Sequence, residues 1–184
     1  MKETAPATAT AVALRDLQRN LESRATAMTV AEANPRPDGK WNVAQILEHL
    51  YLTYTGTIKG LSRVIEGGKP LARHPTIQDR LRTFVVTRIG YFPEGRKAPA
   101  VATPRGLDVS TVRTQIGIQI SLMNDLLTEC ARRFGGRTRI LDHPILGPLT
   151  ADQWRKFHLA HGKHHLKQID RRRSAGNGPA RRPV

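Results

Sequence analysis

The chain has 184 residues, the length of one typical domain, and 39% of them are hydrophobic, enough for a core without disulfides. Thirty lysines and arginines against 15 aspartates and glutamates give a formal net charge of +15. The single cysteine, Cys130, excludes an internal disulfide, and no apolar run approaches the ~18 residues of a membrane span. Because the N-terminal segment also lacks the long apolar stretch of a signal peptide, we expect a cytoplasmic protein with no membrane partner.

The first two predicted helices follow from apolar spacing and capping signals. One runs from about Thr8 to Ala27, where leucines recur three and four residues apart. The next runs from Val43 to about Ile65 and stops at a Gly-Gly pair. Its start is well marked, because Asn42 and Gln45 have the spacing of a capping box.

A third helix is predicted from Ile77 to Ile89 with Thr76 as its N-cap. Residues 90–106 contain three prolines and three glycines. The prolines exclude a helix, and the segment is predicted to be a long irregular crossover. The fourth helix is capped by Asp108 or Ser110 and ends at a second Gly-Gly pair.

The last helix begins after Thr150, where Gln153 repeats the capping-box spacing and Leu149 with Trp154 repeats the hydrophobic staple. Strand signals are nearly absent from the whole sequence. We therefore predict an all-α fold, a four-helix bundle with an additional N-terminal helical segment and a long Pro/Gly-rich crossover. Residues 1–170 form one domain in this interpretation, and residues 171–184 form a basic, disordered tail.

Histidines lie on the apolar face of the last helix. At ~100° per residue, His158 and His165 share the face of His161 with Trp154 and Phe157, while several lysines fall opposite. His161 and His165 are four residues apart, a spacing by which one helix offers two nitrogens to one metal ion. Core histidines bonded to neighbouring polar groups are the alternative explanation.

The second helix carries one histidine, His49, on the stripe that also holds Asn42, Thr53 and Gly56. The glycine removes a side chain beside His49, which permits either a close helix contact or an open cavity. A lone core histidine bonded to a carbonyl group explains His49 equally well.

Three segments together resemble the DinB-like (YfiT-like) superfamily, in particular an uncharacterised bacterial branch. They are WNVAQILEHL at 41–50, HPILGPL at 143–149 and TADQWRKFHLAHGKHHLKQ at 150–168. The resemblance implies a four-helix bundle, often a homodimer, that holds a divalent metal ion (Zn, Ni, Fe or Mn) through His49, His161 and His165. Members of the superfamily include transferases that use low-molecular-weight thiols such as mycothiol or bacillithiol, and some are hydrolases.

Further residues are candidates for the pocket around such a metal. Gln168, one turn after His165, is placed to orient a ligand or a bound water. His158 is the best acid or base candidate, because no carboxylate is clearly aimed at the site and Glu48 projects about 100° from His49. His143, in the loop before the last helix, could line the pocket mouth.

Three functions are consistent with the sequence. The first is a metal-dependent transferase or hydrolase that acts on a small molecule, with a thiol cosubstrate as one option. The second is a non-catalytic helical interaction or dimerisation module. The third is a basic nucleic-acid binder, although no zinc-finger spacing or aromatic RNA-binding strand is present, so we expect no specific nucleic-acid partner.

Overall fold

A computed structural model describes residues 9–34, 39–90 and 98–176, and these residues are mostly helical. The helices are α1 (Ala9–Thr26), α2 (Val43–Glu66), α3 (Ile77–Phe84), α4 (Val109–Phe134) and α5 (Ala151–Gly176). A π-helical turn, Val85–Ile89, follows α3, and 3-10 turns occupy Ala31–Ala33 and Ala100–Ala102. A hairpin of β1 (Arg139–His143) and β2 (Gly147–Thr150) connects α4 to α5. Among the described helices, none has the length and apolar character needed to span a bilayer.

Helices α1, α2, α4 and α5 bury their apolar faces in a shared core. Leu14 and Leu21 of α1, Leu50 of α2 and Leu127 of α4 are almost completely buried. Burying each such side chain contributes about 1.5–3 kcal/mol to the free energy of folding. The predicted all-α character is therefore confirmed in its main feature, a helical core.

Helix α1 approaches its neighbours closely at two glycines. A Cβ atom at Gly162 of α5 would lie 2.5 Å from Cδ2 of Leu17, and one at Gly117 of α4 would overlap the carboxylate of Glu22. Side chains of α1 thus occupy space that only glycine leaves open. The two glycines set how near α1 packs to the helix pair α4 and α5.

The predicted starts of α2, α3, α4 and α5 are confirmed. Reciprocal capping boxes form between Asn42 and Gln45, and between Thr76 and Asp79. At the start of α5, Oε1 of Gln153 accepts from the Thr150 amide (2.9 Å) while Oγ1 of Thr150 accepts from the Gln153 amide (3.3 Å). Of the two candidates at α4, Asp108 is the N-cap. These caps satisfy backbone N–H groups that have no partner inside the helix.

The expectation of a fold nearly free of strands is wrong at residues 139–150. β1 and β2 pair in antiparallel register, with Leu141 opposite Leu149 and His143 opposite Gly147. Ile140 and Leu149 are fully buried against the helical core. This packing stabilises a pair of short strands whose local sequence, interrupted by two prolines, carries almost no strand signal.

The third predicted helix is α-helical only to Phe84, and its last turn widens to π geometry before Gly90 ends it at φ 69°. Three of its apolar residues, Ile77, Leu81 and Phe84, are exposed.

The predicted tail boundary at residue 171 is also corrected. Helix α5 continues to Gly176. Nε of Arg172 donates to the carbonyl oxygen of Trp41 (3.2 Å), and Nε of Arg173 pairs with Oε1 of Glu32 (2.6 Å). Residues 171–176 therefore belong to the helix, while residues 177–184, like Thr8 and the crossover residues 91–97, lie outside the described residues.

Candidate metal centre

Three histidine side chains converge between α2 and α5. Nε2 of His161 lies 3.2 Å from Nε2 of His49 and 3.1 Å from Nε2 of His165. All three potential ligand atoms lie within 4.8 Å of one another, and all three side chains are buried. The four-residue spacing on α5 and the inward face of α2 bring together the three residues that the sequence singled out.

Hydrogen bonds fix the tautomers of two of these rings. Nδ1 of His49 donates to the carbonyl oxygen of Ala102 (2.7 Å), and Nδ1 of His165 donates to Oε1 of Gln168 (2.8 Å). A neutral imidazole has one ring hydrogen, so Nε2 of both rings presents a lone pair. Both lone pairs face His161, which has at most one Nε2 hydrogen to offer them.

The surroundings keep the three rings neutral. Burial lowers the pKa of His49, lowers that of His165 to about 3, and lowers that of His161 well below its ordinary value. Repulsion between the neighbouring imidazoles lowers the last two further. Neutral imidazole is the form that binds a metal ion.

Two of the three nitrogen separations are close to those required by one metal ion. Two nitrogens bound at 2.0–2.1 Å in tetrahedral geometry lie about 3.3–3.4 Å apart. The observed 3.1 and 3.2 Å are close to this value, so small ring movements would place both pairs on one ion. Imidazole ligands suit zinc, nickel, iron and copper more than calcium or magnesium.

Comparison with known protein families gives one match. The model of a family described as "Protein of unknown function (DUF1569)" matches residues 12–172. The chain belongs to this family. No curated protein and no solved structure matches it. The DUF1569 match covers all three converging histidines and nearly the full length of the described helices.

His158, the predicted acid or base, is not part of the histidine cluster in this DUF1569 chain. It is fully buried, its ring stacks on Trp154, and its Nε2 lies 3.1 Å from Oγ1 of Thr57. Its Nδ1 has no hydrogen-bond partner among the described residues. Burial lowers its pKa to about 3, so the ring is a neutral core group in this conformation.

His143 stabilises the hairpin turn. Its Nδ1 accepts from the backbone amides of Ile145 and Leu146 (both 3.1 Å), and its ring packs 4.3 Å from that of Phe157. Phe157 in turn stacks on His161, with ring centroids 5.3 Å apart. His143, predicted to line the pocket mouth, is therefore connected to the histidine cluster through the ring of Phe157.

The other predicted pocket residues lie at different places along α2. Asn42 caps α2, and its Nδ2 donates to the carbonyl oxygens of Ala33 and Asn34. Thr53 donates its hydroxyl to the carbonyl oxygen of His49 (2.8 Å). Gly56 is exposed, and a Cβ there would meet nothing within 4 Å. The position faces solvent, so neither of the two options for this glycine, a close helix contact or a cavity over His49, is found among the described residues.

The contacts that Ala102 and Glu48 make were not predicted from the sequence. Ala102 acts through its carbonyl oxygen, which no side-chain pattern reveals. Glu48 is buried, and its carboxylate accepts from the amides of Arg105 (2.7 Å) and Gly106 (3.2 Å). The expectation that Glu48 is not aimed at the histidines agrees with these contacts. Its partners are instead crossover amides more than fifty residues away in the chain.

Proposed function

We propose that this protein binds one divalent transition-metal ion through Nε2 of His49, His161 and His165, and that it is a metal-dependent transferase or hydrolase of the DinB-like four-helix-bundle type acting on a small molecule. The observation that carries the proposal is the convergence of three buried Nε2 atoms, two of them in fixed tautomers. Without an ion, the single Nε2 hydrogen available from His161 satisfies at most one of the two lone pairs that face it, and leaving the other unpaired in a buried site is unfavourable.

Three protein ligands favour a catalytic site over a structural one. Structural zinc sites have four protein ligands, whereas three leave a position for water or substrate. A bound ion would act there as a Lewis acid, stabilising negative charge on an oxygen or sulfur atom. The chain's own contribution is to keep the three rings neutral and oriented, with Trp41 and Phe157 packed beside them.

A thiol cosubstrate fits the residues better than unassisted hydrolysis does. The described cluster contains no carboxylate, and the nearest acid along α2, Glu48, is engaged by two backbone amides. Water activation benefits from a general base, whereas a thiol with pKa ≈ 8.5 ionises with little help. This comparison favours the transferase option within the proposal.

The test begins with metal content, measured by elemental mass spectrometry on protein purified without chelators. We expect about one ion per chain in the wild type, and loss of the ion in the variants His49→Ala, His161→Ala and His165→Ala. His164→Ala, a change at the neighbouring position of α5 outside the cluster, is the matched control and should retain the ion. Each variant must show a wild-type far-UV circular dichroism spectrum.

Retention of the ion in all three cluster variants, or its absence from wild type incubated with zinc, nickel, manganese and ferrous iron, would contradict the proposal. With the ion identified, turnover is measured with thiol cosubstrates and with ester substrates. Turnover that disappears in His161→Ala and persists in His164→Ala would establish the enzyme.

A non-catalytic interaction module is the second candidate, because α3 exposes an apolar row. Ile77, Leu81 and Phe84 are 86%, 64% and 56% exposed. Such a row is typical of surfaces that meet a partner, including a second copy of the chain. Two results together would favour this candidate. The metal-loaded protein would show no turnover, and sedimentation would show a wild-type homodimer but a monomeric Leu81→Glu variant.

A further inference from the structure

A cavity lies away from the histidines, between the α3 segment and the hairpin. It is an open groove of about 210 Å³. Three arginines, Arg80, Arg88 and Arg139, line it and are called here the groove arginines. Gln153 of α5 also lines it, and eight residues at 1.5 Å rise place His161 about 12 Å further along that helix. The groove is therefore a separate place in the fold.

The groove arginines carry positive charge that the described residues do not neutralise. None of the three guanidinium groups makes a side-chain hydrogen bond or ion pair with a described residue. Asp79, the one acid among the described residues that line the groove, is already engaged by both Nη1 (2.6 Å) and Nη2 (3.0 Å) of Arg73. Arg73 is not itself a lining residue, so the groove retains a net positive charge.

Among the remaining polar side chains that line the groove, Gln153 offers a donor to an anion, whereas Thr83 and Thr87 do not. The hydroxyl group of Thr83 donates to the carbonyl oxygen of Leu146. The hydroxyl group of Thr87 donates to the carbonyl oxygen of Thr83. Gln153 uses Oε1 on the Thr150 amide, which leaves its Nε2 as a donor. A ligand in the groove thus meets many N–H donors and few carboxylate acceptors. Guanidinium groups bind phosphate and carboxylate oxygens in pairs of parallel hydrogen bonds.

Size and shape limit the ligand further. Phe84 is 56% exposed and forms an apolar wall beside the arginines. The volume of about 210 Å³ is smaller than the ≈ 300–1,000 Å³ of drug-sized pockets. The π turn that carries Thr87 and Arg88 is a helix irregularity frequent at functional sites. These features suit a small ligand with one anionic group and one flat apolar group.

We infer that this groove binds a small organic phosphate, with the phosphate held by Arg80, Arg88 and Arg139 and the organic part against Phe84. The site shares no residue with the histidine cluster and does not depend on a metal ion there. Three of the positive charges behind the formal net charge of +15 then bind one specific ligand, in place of a general attraction to polyanions.

The test uses isothermal titration calorimetry with phenyl phosphate and with inorganic phosphate at constant ionic strength. The groove variant replaces all three groove arginines by glutamine. The control variant, Arg15→Gln/Arg63→Gln/Arg137→Gln, removes the same charge at exposed positions outside the groove. We expect affinity for phenyl phosphate to fall at least about tenfold in the groove variant and less than about twofold in the control.

Two further measurements make the test specific. Phe84→Ala should weaken phenyl phosphate while leaving inorganic phosphate unchanged. If the triple variant does not fold, Arg80→Gln/Arg88→Gln, at exposed positions, replaces it and should still lose affinity. No binding by the wild type, or equal loss in the groove and control variants, would overturn the inference. Binding of DNA that depends on the groove arginines but is not displaced by phenyl phosphate would also overturn it, in favour of a polyanion surface.

Discussion

The contact between Gly162 and Leu17 leads to a prediction in which two opposing effects are separated. Replacing a glycine by alanine inside a helix stabilises by about 1 kcal/mol through helix propensity. At Gly162, however, the new Cβ would lie 2.5, 2.9 and 3.1 Å from three atoms of Leu17, closer than ordinary van der Waals contact. Leu17 is 3% exposed within the core, so α1 must shift to relieve the contact. Such overpacking costs typically 1–3 kcal/mol.

Gly56 supplies the matched control, because it is also inside a helix but a methyl group added there would have no neighbour within 4 Å. The propensity effect is common to both substitutions, so their difference isolates the overpacking cost. We expect Gly56→Ala to stabilise by up to about 1 kcal/mol and Gly162→Ala to destabilise by up to about 2 kcal/mol. Urea unfolding followed by far-UV circular dichroism measures both values.

A double variant completes the test. In a Leu17→Ala background the space beside residue 162 is open, and Gly162→Ala should become neutral or stabilising. Equal stabilisation by Gly56→Ala and Gly162→Ala in the wild-type background would refute the reasoning, because α1 would then not be held against α5 at this point.

Three other expectations follow from buried polar groups. Glu48→Gln should destabilise by about 1–3 kcal/mol and speed hydrogen exchange at the amides of Arg105–Gly106, which lose a charged acceptor; unchanged exchange there would argue against the anchoring role. The arginine partner of Asp79 holds the pKa of that carboxyl well below its ordinary value of 3.8, so its contribution is present above pH 3.8 and lost as pH falls through the folded-state pKa. The stability loss in Asp79→Asn should therefore be smaller at about pH 3 than at pH 7, and a pH-independent loss would contradict the ion pair. Asn124→Ala, which removes the Oδ1 acceptor of the buried Arg155 guanidinium but leaves its bonds to the Asn124 carbonyl oxygen and the Thr128 hydroxyl, should destabilise by about 1.5–3 kcal/mol, whereas Arg155→Met should cost less; the reverse order in thermal unfolding would contradict this account.

Local signals predicted the helix starts and the histidine face. A capping box needs only two residues three positions apart, so the boxes at Asn42, Thr76 and Thr150 depend little on the rest of the fold. The helical period likewise places His161 and His165 on one face without further information. The prediction that His49 of α2 lies close to His161 and His165 rested on the inward face of His49 together with the family resemblance.

The parts that sequence did not predict depend on contacts between distant segments. The hairpin exists because Ile140 and Leu149 pack on the core, and such packing outweighs weak strand propensity. The exposure of Phe84 reflects which face of a short helix the hairpin covers, a choice that periodicity alone does not make. The Ala102 carbonyl carries no side-chain identity at all, so its role appears only in three dimensions.

Neighbouring residues of α2 hold both parts of one crossover turn. Glu48 binds the amides of Arg105 and Gly106, and His49 binds the carbonyl group of Ala102. Order in the crossover and orientation of the His49 ring are consequently linked equilibria. A ligand that binds only the oriented ring must therefore also favour the ordered turn at residues 102–106 and slow hydrogen exchange there, and a change that loosens this turn must weaken that ligand.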